Sequence, residues 1–223
     1  MALIPDKTYV SRLLRALKRL YPRAECALHH ENAFQLLVAT ILSAQCTDKK
    51  VNEVTPRLFR TWPDAAALAE SDPAELERVI HPTGFFRAKA KSLRGMAQAL
   101  VRDHAGEVPR DLDALTALPG VGRKTAHVVL GNAFRIASGV VVDTHVGRLS
   151  RRLGLTRQTD PVKIERDLAG LLPRTQWIDF SHRMIEHGRA VCGSQRPKCD
   201  TCQLNVFCPR VGVLASNRTR TPR

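Results

Sequence analysis

Apolar residues recur along this chain at intervals of three and four, the spacing of a buried helix face. Val10, Leu13, Leu14, Leu17 and Leu20 mark one side of an amphipathic helix within the first twenty residues. Asn32 can cap a helix carrying Phe34, Leu37, Ile41 and Leu42, and Thr47 or Asp48 can cap the next, with Val51, Val54 and Leu58. Pro56 lacks an amide hydrogen, so it is expected to kink or restart that second helix. Asp72-Pro73 with Glu75 starts a helix through Val79, and Asp160-Pro161 starts one bearing Val162, Ile164, Leu168 and Leu171. Phe86 to His104 reads as a long basic helix with Ala88, Leu93, Met96, Ala97 and Leu100 inward. Only Val140 to Val142 looks extended, and one short strand makes no sheet. The pattern predicts an all-α fold.

Composition narrows the partners. The 223 residues hold 35 Lys and Arg against 21 Asp and Glu, a formal charge of +14. A pI near 10.2 points to a polyanion, although ribosomes and anionic membranes attract such a chain as well. Apolar residues at 43% exclude wholesale disorder, and aromatics at 5% make single-strand stacking platforms thin. The longest apolar stretch, Phe34 to Ala44, is about half a membrane span and is broken by Gln35, Thr40 and Ser43. The first twenty residues carry no apolar signal core and no cleavage site. A soluble intracellular chain is expected, with no membrane partner. In a reducing compartment its six cysteines should not form disulfides, yet four crowd between positions 192 and 208. Cys26 and Cys46 lie outside that group and read as small buried hydrophobes. The stretch from Pro209 to Arg223 has Arg210, Arg218, Arg220 and Arg223 and little to bury, so a loose basic tail is expected.

Four features carry candidate chemistry. In LPGVGRKTA, Leu118 to Ala126, one helix ends and another starts across Pro119-Gly120-Val121-Gly122. Two glycines permit a tight turn and close approach, and the amides at the second helix start suit a phosphate oxygen. A plain turn between packed helices explains the same residues equally well. Lys124 follows in the first turn of that helix, where the dipole disfavours an ammonium. Partial burial there would favour the neutral amine that a nucleophile needs, although a lone lysine is most often a solvated charge. Asp143, in VVVDTHVGRL, can cap the helix starting at Thr144. A carboxylate so fixed could also stabilise positive charge on a reacting sugar. Finally, Cys192-x6-Cys199-x2-Cys202-x5-Cys208 puts four thiols in one loop. Zinc favours paired C-x2-C knuckles, and only one is present, so the spacing favours an iron–sulfur cubane.

Taken in order, LPGVGRKTA, VDTH and the four cysteines resemble the endonuclease III family of DNA glycosylases. LSAQCTD (Leu42 to Asp48) and GEVPRDLDALTALPG (Gly106 to Gly120) extend the likeness, which runs over about residues 5 to 208. The resemblance implies a two-domain helix-hairpin-helix fold. A six-helix barrel would occupy 26–136, and a discontinuous cluster domain would occupy 1–25 with 137–208, leaving 209–223 as the tail. An interdomain cleft would hold Lys124 and Asp143. It implies a [4Fe-4S] cluster on Cys192, Cys199, Cys202 and Cys208. DNA contacts would come from Gly120, Val121, Gly122, Arg123 and Thr125 of the hairpin, from His145, and from Arg196 and Lys198 of the cluster loop. Gln45 and Phe85 would fill the gap left by an extruded base. For Phe85 the residue type alone favours an ordinary core aromatic, and for Gln45 a surface or capping amide. The chain departs from the family at Phe85, where Leu is usual, at Thr116, where Glu is common, and at Pro56.

The implied function is a bifunctional DNA glycosylase and AP lyase. It would excise oxidised pyrimidines from duplex DNA through a Lys124 Schiff base and cut abasic sites by β-elimination. It would work as a bacterial-type, nucleoid-associated cytoplasmic monomer. Two rivals differ in class. A monofunctional mismatch glycosylase would use water and leave Lys124 idle. A non-catalytic DNA-binding module with structural zinc would leave Lys124 and Asp143 as coincidence.

Overall fold

The computed structural model describes residues 5–213. Among them every regular element is helical: eleven α-helices and three 3-10 turns, with no strand. Val140 to Val142 is irregular backbone. Contacts divide the chain into two compact units, one of Cys26–Ser138 and one of Met1–Glu25 with Gly139–Arg223.

The first unit contains seven helices. Helix α2 (Ala33–Leu42), capped by Asn32 Oδ1 on the Gln35 amide, is buried at eight of its ten positions. It is the apolar stretch too short for a membrane, and it packs against α3 (Asp48–Thr61), α6 (Phe86–His104) and α8 (Arg123–Phe134). Thr47 caps α3, and Asp72 caps α5 (Pro73–Ile80). Helices α4 (Ala65–Ala69) and α7 (Leu112–Ala117) are short and begin at Asp64 and Asp111. Pro56 does not interrupt α3. Pro56 itself is exposed, while Val51, Val54 and Leu58 stay buried on both sides of it. In α6 the expected inward Ala88 faces solvent, and its neighbour Lys89 is buried instead.

In the second unit, α1 (Lys7–Leu20) is capped by Asp6 and buries Val10, Leu13 and Leu17. It packs on α11 (Trp177–Ala190), which also meets α9 (Thr144–Arg152), and α9 meets α10 (Pro161–Leu171). Phe180 and Met184 of α11 fill this core. Val162, expected on the apolar face of α10, is exposed. The cysteine segment follows α11 and contains a 3-10 turn at Cys199–Thr201. Of the expected loose tail, residues 209–213 are tied back, because the Val211 amide donates to the Arg152 carbonyl at 3.0 Å. The rest of it, 214–223, lies outside the described residues. No helix among the described residues is long and apolar enough to cross a membrane.

Candidate functional site

The hairpin is built by two glycines with different reasons for being there. Leu118 ends α7 and Val121 turns back on it, its amide donating to the Leu118 carbonyl at 3.1 Å. Gly120 sits at φ +76°, and a Cβ there would lie 2.5 Å from the Ser92 Cβ on α6. Only glycine fits both the backbone angle and that contact. Gly122 has ordinary extended angles and is the N-cap of α8; a Cβ there would meet nothing within 4 Å. The protein therefore does not need glycine at 122 for its own packing. No side chain caps this helix start, and the helix dipole there favours an anion. Arg123 and Lys124 are exposed beside it, and Thr125 is half-buried. Lys124 thus lacks the expected partial burial and stands open in the first turn. Thr116 turns its hydroxyl back onto the Leu112 and Asp113 carbonyls, at 3.0 and 3.1 Å.

Two further loops of the same unit carry strained residues. Gln45 at φ +51° and Phe85 at φ +50° are both left-handed, an unfavourable backbone for residues with a Cβ. Both are exposed, Phe85 at 65%. Phe85 is therefore no core aromatic. A large apolar ring held outward by strained backbone suits insertion into a partner.

In the other unit, Asp143 caps α9 as its position suggests. Its Oδ1 accepts the Val146 amide at 2.7 Å, which leaves Oδ2 outside the cap. His145, two residues on, accepts at Nδ1 from Arg148 Nη2, 3.2 Å away. Burial, with Arg148 and Arg189 nearby, holds this imidazole below its ordinary pKa against the pull of Asp143.

The four clustered cysteines line a single cavity with Arg152 and His187 in its wall. Zinc would need thiolates about 3.8 Å apart, from Zn–S bonds near 2.3 Å. Among the described residues, no three His, Cys, Asp or Glu side chains form a group that could hold a single metal ion. The thiols instead surround a space. Burial pushes Cys202 and Cys208 up, and the neighbouring thiols add to it, so both favour the neutral thiol until a cation such as iron offsets that cost. The donor set fits a cluster held by Cys192, Cys199, Cys202 and Cys208. Arg196 and Lys198 are exposed on the same loop.

Residue type hid several neighbours of this cavity. Arg152 donates to the Gly193 and Ser194 carbonyls at 2.6 Å each and to Cys192 Sγ at 3.3 Å. Arg148 donates to the Cys192 carbonyl at 2.9 Å. Their four-residue spacing puts both on one face of α9, and that is the signal that could have found them. His187 links Tyr21, whose hydroxyl is 2.8 Å from Nδ1, to Cys202 Sγ, 3.6 Å from Nε2. Burial pulls its pKa down to about 4.

Residues 38–174 match the HhH-GPD superfamily of base excision DNA repair proteins. A protein of Synechocystis sp. named endonuclease III is 56% identical over 203 residues, covering 91% of this chain and 93% of its own. Two solved structures each align at a TM-score of 0.87 with 41% identity, covering 92% of this chain and 96% of theirs. One is a non-covalent endonuclease III–DNA complex, and the other a trapped endonuclease III–DNA covalent intermediate with an estranged adenine.

Proposed function

This chain belongs to the endonuclease III family of the HhH-GPD base excision repair superfamily, and from that membership we propose how its own residues act. It is a bifunctional DNA glycosylase and AP lyase that removes oxidised pyrimidines from duplex DNA. The hairpin amides after Gly122, with Arg123, Thr125, His145, Arg196 and Lys198, hold the phosphate backbone. The damaged nucleotide leaves the stack, because C1′ is out of reach within it. Gln45 and Phe85 take its place in the duplex.

Lys124 Nζ attacks C1′ with its lone pair as the glycosidic bond breaks. The base leaves with the bonding electrons and is protonated. The Asp143 carboxylate stabilises the positive charge that develops on the sugar ring. Ring opening gives an imine between Lys124 and C1′. Loss of a C2′ proton then expels the 3′ phosphate and cuts the strand, and water releases Lys124 as the free amine. Cys192, Cys199, Cys202 and Cys208 hold a [4Fe-4S] cluster, which when bound cross-links the loop that presents Arg196 and Lys198. The protein works as a monomer on chromosomal DNA.

The observation that carries this reading is the exposed Lys124 amine, two residues beyond an uncapped hairpin shaped to receive a phosphate. A duplex with one oxidised pyrimidine, incubated with the protein and run on a denaturing gel, should be cut at the lesion without heat or alkali. Base release with an intact strand would assign the monofunctional reaction instead.

A further inference from the structure

Lys89 lies on α6 with 5% of its surface exposed, an unusual burial for a lysine. Its ammonium donates to the Leu42 carbonyl and to the Thr83 carbonyl, 2.8 Å each. Both acceptors end a helical segment. Leu42 is the last residue of α2, and Thr83 closes the 3-10 turn His81–Thr83. Carbonyls at such ends lack helical partners and are costly to bury unmet. Beyond Leu42, three residues along, comes Gln45; beyond Thr83, two residues along, comes Phe85. The Lys89 amide also donates to the Phe85 carbonyl at 3.1 Å. One residue therefore holds the chain on both sides of Phe85 and joins it to the root of the Gln45 loop. Both loops are strained, at φ +51° and +50°, and strained backbone persists only where surrounding contacts over-determine it.

We infer that Lys89 is a positioning residue that sets the two loops at a fixed spacing, so that Gln45 and Phe85 enter the duplex together. The inference rests on the reading of those two residues as the ones that fill the gap. Burial pulls the ammonium below the usual lysine range, and a nearby Cys46 opposes this. A buried cation met by carbonyl dipoles anchors backbone without contributing a charge to the DNA face.

The test compares lesion excision in a fully paired duplex and in an unpaired bubble. In the bubble the neighbouring bases are already unstacked and there is little gap to fill. Lys89→Met keeps the volume and removes the donors. Excision from the paired duplex should fall about tenfold to a hundredfold, the scale of a misplacement near 1 Å, while excision from the bubble stays within about threefold of wild type. Because Lys89 acts through Phe85, adding Lys89→Met to Phe85→Ala should cost far less than it does alone. Lys89→Arg keeps the cation but carries a longer, planar head, and should show a smaller loss confined to the paired duplex. It decides alone if Lys89→Met does not fold. Equal losses on both substrates, or none on either, would overturn the inference. Phe85→Ala and Gln45→Ala are the separate check. If they lose paired-duplex excision and the Lys89 variants do not, Lys89 is excluded and the gap-filling reading stands. If they show no such selectivity, that reading itself has failed.

Discussion

Gly120→Ala and Gly122→Ala should have opposite consequences, although both alter the same turn by one methyl group. At Gly120 the backbone stands at φ +76°, which costs a residue with a Cβ about 1–2 kcal/mol. The new methyl would also lie 2.5 Å from the Ser92 Cβ and 2.8 Å from its Oγ. Rotating Ser92 moves the oxygen but not its Cβ, which α6 fixes through the buried Leu93. Relief must come from backbone movement, typically about 1–3 kcal/mol. The sum, about 2–5 kcal/mol, is a large share of a domain's stability and should lower the Tm by roughly 10 °C. At Gly122 the angles suit any residue and the space is open, so the stability cost should stay under about 1 kcal/mol. Its methyl would instead meet the approaching phosphate. Loss of one charge-assisted contact is worth about 1.5–3 kcal/mol, or roughly tenfold to a hundredfold in duplex affinity. Thermal melting followed by circular dichroism reads the first effect, and anisotropy of a labelled duplex at fixed salt reads the second. A Gly122→Ala protein that binds like wild type, or melts as early as Gly120→Ala, would refute this division of roles.

Cys199→Ala should abolish the iron and acid-labile sulfide of the purified protein, because ligand binding and loop folding are one process. Arg152→Met, which leaves the Gly193 and Ser194 carbonyls without their donor, should keep the iron but bleach faster in air; stoichiometric zinc in anaerobically purified protein would contradict both. Affinity for undamaged duplex should fall with salt at a log–log slope of roughly −4 to −5, and Arg196→Ala or Lys198→Ala should each reduce that slope by about one. Asp143→Asn keeps the oxygen that caps α9, so its melting should be nearly unchanged, while base excision slows by about two to three decades. A sharp fall in Tm with excision intact would make Asp143 a cap and nothing more.

What was legible in the chain follows from what local chemistry determines. Asn32, Asp72 and Asp160 each cap the helix they precede, because a short polar side chain before an apolar period has one good use. The hairpin was legible because its two glycines bracket Val121, and the cysteine cavity because four thiols share one loop. Pro56 does not restart α3, since buried contacts on both sides hold the helix through one lost hydrogen bond, and periodicity does not report that. Lys89 was hidden for a related reason. A lysine beside an alanine reads as the solvent side, and only the fold brings the ends of two other segments to its amine. Phe85 ran the other way: its residue type pointed to the core, but a left-handed backbone turns it outward.

The central claim is that the Lys124 amine is the nucleophile. Borohydride reduction of the imine during turnover tests it most directly, with wild-type and Lys124→Gln protein on a duplex carrying an oxidised pyrimidine and on one carrying a preformed abasic site. Wild type should be trapped covalently on both. Lys124→Gln should be trapped on neither while still binding duplex, because the hairpin's backbone contacts do not involve that side chain. A trapped adduct forming with Lys124→Gln at the wild-type rate would mean that another amine performs the chemistry.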